Sequence, residues 1–174
     1  MFISTLGISS SNPMILKHDS GYYSGYSGST TTHQVEPGYK IMKIIDVSSA
    51  DLEQTVEARV RVFIGLIDYS REQNGFNEEI ELVVNEGKIK VPLNLFHHGK
   101  NRGQTPSYEW CDISIPHSYL KPAQNKIVIN KVKHDPQDDY IYVAIDNHVK
   151  YGRSACSLDN GKTWNYEKLN AINA

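Results

Sequence analysis

The sequence predicts an all-β protein built as an antiparallel two-sheet β-sandwich. Three observations carry that prediction. Apolar residues recur with a period of two in segment after segment, no segment sustains a helical period, and roughly eight or nine short alternating stretches are separated by polar connections. The clearest stretch places Val56, Ala58, Val60, Val62, Ile64 and Leu66 on one face, with Glu57, Arg59 and Arg61 on the other.

Taken in order, the first third is the least regular. Residues 18–29 form a Gly/Ser/Tyr stretch holding Tyr22, Tyr23 and Tyr26, followed by three threonines, so 1–38 reads as a loop region packed on or leading into a sandwich of 39–174. After the long alternation at 56–66, Ile80, Leu82 and Val84 alternate with Glu79, Glu81 and Val83. The turn Asn85-Glu86-Gly87 then leads into Ile89, Val91 and Leu93, which predicts a hairpin. Cys111, Ile113 and Ile115 mark another strand, Ile127 and Ile129 the next, and Ile141, Val143 and Ile145 one more. Only 118–120 looks like a helical turn. Residues 154–158 and 162–167 read as the arms of a last hairpin.

That hairpin has a chemical reason at each key position of Ser157-Leu158-Asp159-Asn160-Gly161-Lys162-Thr163-Trp164. Asp159 and Asn160 fold short polar side chains onto turn amides, Gly161 supplies a positive φ, and Trp164 anchors the turn on apolar surface. The segment resembles the Asp-box, Ser-x-Asp-x-Gly-x-Thr-Trp, of sialidases and other extracellular carbohydrate-active proteins. In that family it is a folding element remote from the active site. Propellers repeat it, whereas here it occurs once. The resemblance implies an extracellular or secreted, glycan-associated setting, although residues 1–11 are too polar for a secretory signal.

A second resemblance rests on Trp110-Cys111-Asp112-Ile113-Ser114-Ile115-Pro116, on Leu120-Lys121-Pro122-Ala123-Gln124-Asn125-Lys126-Ile127-Val128-Ile129, and on Tyr140-Ile141-Tyr142-Val143-Ala144-Ile145-Asp146. Together they resemble the back half of galactose-binding-domain-like jelly rolls, with Ala123-Gln124 where Gly-Glu is usual. The resemblance covers about 56–146 and implies a jelly roll. Many such domains are carbohydrate-binding modules attached to glycan-active enzymes, and others are structural or protein-interaction domains. It also implies a structural calcium near the N-terminal loop and last strand, where Asp19 and Asp146 offer hard oxygen ligands.

Charge and composition exclude other classes. A chain of 174 residues fits one domain, and a net charge of −2 gives no footprint for nucleic acid. No apolar run approaches a membrane span. Tyr is used eleven times against four Phe, which suits strands and sugar-facing surfaces. Cys111 and Cys156 have no metal-ligand spacing and read as buried thiols, with a disulfide as the alternative.

Catalysis is not expected. Of Glu72, Glu78, Glu79, Glu81, Asp112, Asp135, Asp138 and Asp139 most sit at strand edges or in loops, where solvated charges are expected, and no Gly-x-Ser-x-Gly elbow occurs. Adjacent His97 and His98 point in opposite directions on an extended chain, which argues against a shared metal. The sugar site is expected in 94–104, where His97, His98, Asn101 and Arg102 offer planar hydrogen-bonding groups. Tyr108 or Trp110 would supply an aromatic face. Residues 71–77 and the Tyr22/Tyr23/Tyr26 loop are further candidates. The expected function is a non-catalytic carbohydrate-binding module with a glycan, and other domains of a parent enzyme, as partners. The alternative is a structural or protein-interaction sandwich without a sugar site.

Overall fold

A computed structural model describes residues 2–7, 14–17, 32–69, 75–96, 107–144 and 153–165. In chain order the strands are β1 (Phe2–Gly7), β2 (Met14–Lys17), β3 (Thr32–Val35), β4 (Lys40–Val47), β5 (Glu57–Asp68), β6 (Glu79–Val84), β7 (Gly87–Pro92), β8 (Ser107–Ile115), β9 (Ala123–Lys131), β10 (Asp139–Ala144) and β11 (Ser154–Ser157). One helix, α1 (Ser49–Gln54), follows β4. They form an antiparallel two-sheet β-sandwich compatible with a jelly roll.

Among the described residues the first sheet has six strands. β8 runs along one side of β5, pairing Ala58 with Ile115 through to Leu66 with Ser107. β1 and β10 share the other side of β5, β1 opposite 57–62 and β10 opposite 64–68. β2 extends β1, and β3 extends β10. The second sheet has the order β11-β4-β9-β6-β7.

Period-two alternation decides what lies between the sheets. Ala58, Val60, Val62, Ile64 and Leu66 are buried, as are Ile80, Leu82 and Val84, Ile127 and Ile129, and Ile141 and Val143. These residues belong to one continuous apolar core. Val56, placed on the same face by its parity, lies before the strand begins and is exposed.

Two parts of the sequence reading need correction. Residues 1–38, read as loops from their composition, contribute β1, β2 and β3, all in the first sheet. The helix α1 was not expected; its start is fixed by Ser48, whose Oγ accepts the Asp51 N–H at 3.1 Å. Among the described residues no helix is long and apolar enough to cross a membrane.

The turns show why the motif residues are where they are. The β6–β7 hairpin closes on Asn85-Glu86, with Asn85 at φ 55°. Asn85 Nδ2 donates to Tyr119 O and to Asn125 Oδ1, while its Oδ1 accepts the Lys126 N–H. Buried Asn125 in turn accepts the Lys121 N–H and donates to the Lys121 and Ala123 carbonyls. The two asparagines thus tie the turn before β9 to the β6–β7 hairpin. Gly87 is required by packing, since a Cβ there would meet the Tyr119 ring at 2.2 Å. Ala123 takes φ 75°, a left-handed conformation, at the position where the resembled motif carries Gly.

Candidate functional site

Outward-facing parity on the first sheet gathers aromatic and planar charged side chains. On β5 the outward positions include Arg59, Arg61 and Phe63, and on β8 they include Trp110 and Asp112. Trp110 lies opposite Phe63, with ring centroids 4.9 Å apart. One step along, Arg61 grips Asp112 in a bidentate pair, Nε to Oδ1 and Nη2 to Oδ2, both at 2.7 Å. The Arg61 hydrogen bond holds the Asp112 carboxyl below the usual carboxylate range, and Asp112 raises Arg61 in return. The pair is exposed, so it adds little to stability. It presents a fixed fork beside a half-buried indole.

The aromatic surface continues onto β10. Tyr142 pairs with Gly65, and Tyr140 with Ile67, both on the outward face. The Tyr140 ring meets Tyr69 edge-on at 4.7 Å. Burial first, then neighbouring Tyr69 and Tyr140, pushes the Tyr142 hydroxyl up to about 12, so it stays a neutral donor at physiological pH.

Trp110 and Asp112 also line a groove of about 200 Å³ on the open side of the sandwich, with Glu109, Val91, Leu95 and Phe96. Of the residues expected to bind sugar, the structure places Trp110 in this groove and Tyr108 on β8 opposite Gly65. His97, His98, Asn101 and Arg102 lie outside the described residues, as do Asp19 and Asp146 and the Tyr22/Tyr23/Tyr26 loop. In sequence, residues 97–106 join Phe96 to β8, and so connect two walls of the groove. Sequence reasoning missed Phe63, Arg61 and Asp112 as a unit, although their shared parity on adjacent strands is a readable signal.

One end of the sandwich interior is closed by charge. Asp68 ends β5, Lys131 ends β9, Asp139 begins β10, and Glu78 immediately precedes β6. Asp68 and Asp139 are 0% exposed, Glu78 1% and Lys131 4%. The expectation that Glu78 and Asp139 are solvated charges is therefore corrected. Both share the inward parity of the apolar residues that follow them. Glu78 Oε1 accepts the N–H groups of Asp138 and Asp139 at 2.8 and 2.9 Å. Asp139 Oδ2 accepts those of Asn77 and Glu78 at 2.8 and 3.1 Å. Lys131 Nζ lies 2.6 Å from Glu78 Oε2, donates to the Asp139 carbonyl, and sits over the Tyr140 ring. Burial raises the Asp139 carboxyl to about 6; the Asn77 and Glu78 amides oppose that rise, and the charges of Glu78 and Asp68 add to it.

The loop after β11 folds around Asp159. Its Oδ1 accepts the Ser157 hydroxyl and the Thr163 N–H, and its Oδ2 accepts the Thr163 hydroxyl. Ser157 Oγ accepts the Gly161 N–H at 2.7 Å. These bonds, that from the Thr163 hydroxyl first, lower Asp159 to about 2. Asn160 and Gly161 take φ 64° and 89°. Trp164 packs against Met42, Ile44 and Ala155 on the outer face of the second sheet, away from Trp110. Of the expected second arm at 162–167, the described part pairs only through Asn165 with Cys156. Cys111 and Cys156 are buried thiols on different sheets. Burial, with Glu109 and Asp112 adding to it, pushes Cys111 up to about 12.

Comparison with protein-family models, with curated proteins and with solved structures gives no match.

Proposed function

We propose that the chain is a non-catalytic carbohydrate-binding β-sandwich, and that its sugar platform is the outer face of β5 and β8. The observation that carries this reading is the half-buried Trp110, tilted against Phe63 with ring centroids 4.9 Å apart, beside the Arg61–Asp112 fork. A pyranose offers an apolar C–H face ringed by hydroxyls. An indole face covers the first, and a guanidinium and a carboxylate in fixed geometry pair with the second. The adjoining segment 97–106, with His97, His98, Asn101 and Arg102, supplies further hydrogen-bonding groups next to this surface in sequence. The Ser157–Asp159–Thr163 network fits the scaffold role of an Asp-box and, with the resemblances above, favours an extracellular, glycan-associated protein.

The absence of catalysis in this reading rests on where the acids go. Glu78 and Asp139 each commit one carboxylate oxygen to two main-chain amides, and Glu78 Oε2 pairs with Lys131, which is structural work. Asp112 is held by Arg61.

A protein-interaction domain is the second reading. Leu95, 63% exposed beside apolar Val91 and Phe96 on the groove wall, favours it. A glycan array probed with the purified chain separates the two: selective capture of one sugar class supports the module, and a blank array transfers the groove to a protein partner.

A further inference from the structure

The charged end of the sandwich holds acceptor oxygens that no group among the described residues satisfies. One carboxylate oxygen from each of Glu78, Asp138 and Asp139 lies within 4.8 Å of the others. Asp139 is fully buried, and among the described residues its Oδ1 has no hydrogen-bond partner; Asp138 Oδ1 is likewise buried and without one there. Deprotonated carboxylate oxygens only accept, so each needs a donor or a cation.

Lys131 does not meet that need. Its ammonium is directed to Glu78 Oε2 as an ion pair, to the Asp139 carbonyl and over the Tyr140 ring, and it hydrogen-bonds neither Asp139 Oδ1 nor Asp138 Oδ1. The main-chain amides nearby are also committed: those of residues 77 and 78 go to Asp139 Oδ2, and those of 138 and 139 to Glu78 Oε1. The fold thereby fixes both carboxylates from behind and leaves the opposite oxygen of Asp139 bare.

We propose that Asp139 and Asp138, with Glu78 completing the cluster, bind a divalent metal cation. The donors are all carboxylate oxygens, which selects hard ions, and three carboxylates supplemented by water or carbonyl oxygens suit the flexible coordination of calcium better than the strict octahedron of magnesium. A cation there would join the start of β10 to the lead into β6, coupling the two sheets at the end of the core.

The test is calorimetric titration of the EDTA-stripped chain with calcium chloride and, separately, magnesium chloride, on the parent and on Asp138→Asn, Asp139→Asn and Asp146→Asn. One calcium per chain is expected, bound more tightly than magnesium. The first two substitutions should weaken it at least about tenfold, and Asp146→Asn should leave it unchanged. Asp139→Asn retains an amide oxygen to accept the two main-chain N–H groups. Should it nonetheless fail to fold, Asp138→Asn alone decides. No binding of either ion to the parent, calcium affinity unchanged in the folded variants, or loss only in Asp146→Asn overturns the proposal.

Discussion

Glu78 and Asp139 each hold the other's main chain: the carboxylate of one accepts the amide of the other, in both directions. The reciprocity pins the lead into β6 to the start of β10 across the two sheets, at a point where the apolar core ends. It also carries a stability cost if broken, because Lys131 is buried against Glu78.

Glu78→Ala removes the carboxylate and leaves Lys131 buried without its counter-charge, along with two unpaired amides. Loss of one member of a buried pair costs about 3–5 kcal/mol. Denaturant unfolding of this variant should show a loss of that size. A loss within about 0.5 kcal/mol, the range of ordinary surface changes, would mean that the cluster is solvated and the clasp is not formed.

Ala123→Gly should stabilise the protein. Ala123 at φ 75° bears left-handed strain of about 1–2 kcal/mol, and glycine relieves it while adding some unfolded-state entropy, for a net gain of roughly 0.5–1 kcal/mol. A rise in the denaturation midpoint is the expected readout, and a fall would show that this turn does not require the left-handed conformation.

Asp159 makes a signed pH prediction. Its folded value is lowered to about 2 by the Thr163 and Ser157 bonds, while an unfolded Asp titrates near 3.9. A depressed acid contributes stability that is complete above the unfolded value and is lost as pH falls from about 4 through about 2. Asp159→Asn should be less stable than the parent at pH 7, and the difference should shrink towards pH 2. A gap between the two that does not vary over that range would contradict the network.

The cysteines should be silent in the folded state. Cys111, raised to about 12, carries almost no thiolate at pH 8, and both thiols are buried. A thiol reagent should label neither cysteine natively and two per chain after unfolding. Rapid native labelling of Cys111, or no thiol released on unfolding, would refute this.

The sandwich was legible because its inward residues obey strict parity, from Ala58 to Leu66 on β5 and from Ile80 to Val84 on β6. The β6–β7 hairpin was legible because Asn85-Glu86-Gly87 separates two alternating runs. β1, β2 and β3 were not, since their short stretches are interrupted by Gly/Ser/Tyr segments that mask the period. α1 is six residues with one capping serine, too brief for a helical period to show. The acidic cluster is masked in the sequence because Glu78 sits among Glu79 and Glu81, and Asp138 and Asp139 follow Pro136-Gln137, so composition suggests solvent. Parity contained the correct signal, as Glu78 is in phase with Ile80, and Asp139 with Ile141. The aromatic platform was half legible. Trp110 stands out in the sequence, but its partnership with Phe63 and Arg61 depends on the β5–β8 register, which sequence alone does not supply.

Sugar binding on the β5–β8 face is decided by calorimetry with the sugar that a glycan array selects, comparing the parent with Trp110→Ala and with Asp159→Ala. Sugar binding through the β5–β8 face predicts that Trp110→Ala, with its fold verified by circular dichroism, loses at least about tenfold in affinity, or 1.4 kcal/mol. Asp159→Ala should bind as the parent does per folded molecule, since its loop lies on the second sheet. Unchanged affinity in Trp110→Ala, or lost affinity in a folded Asp159→Ala, would contradict the account.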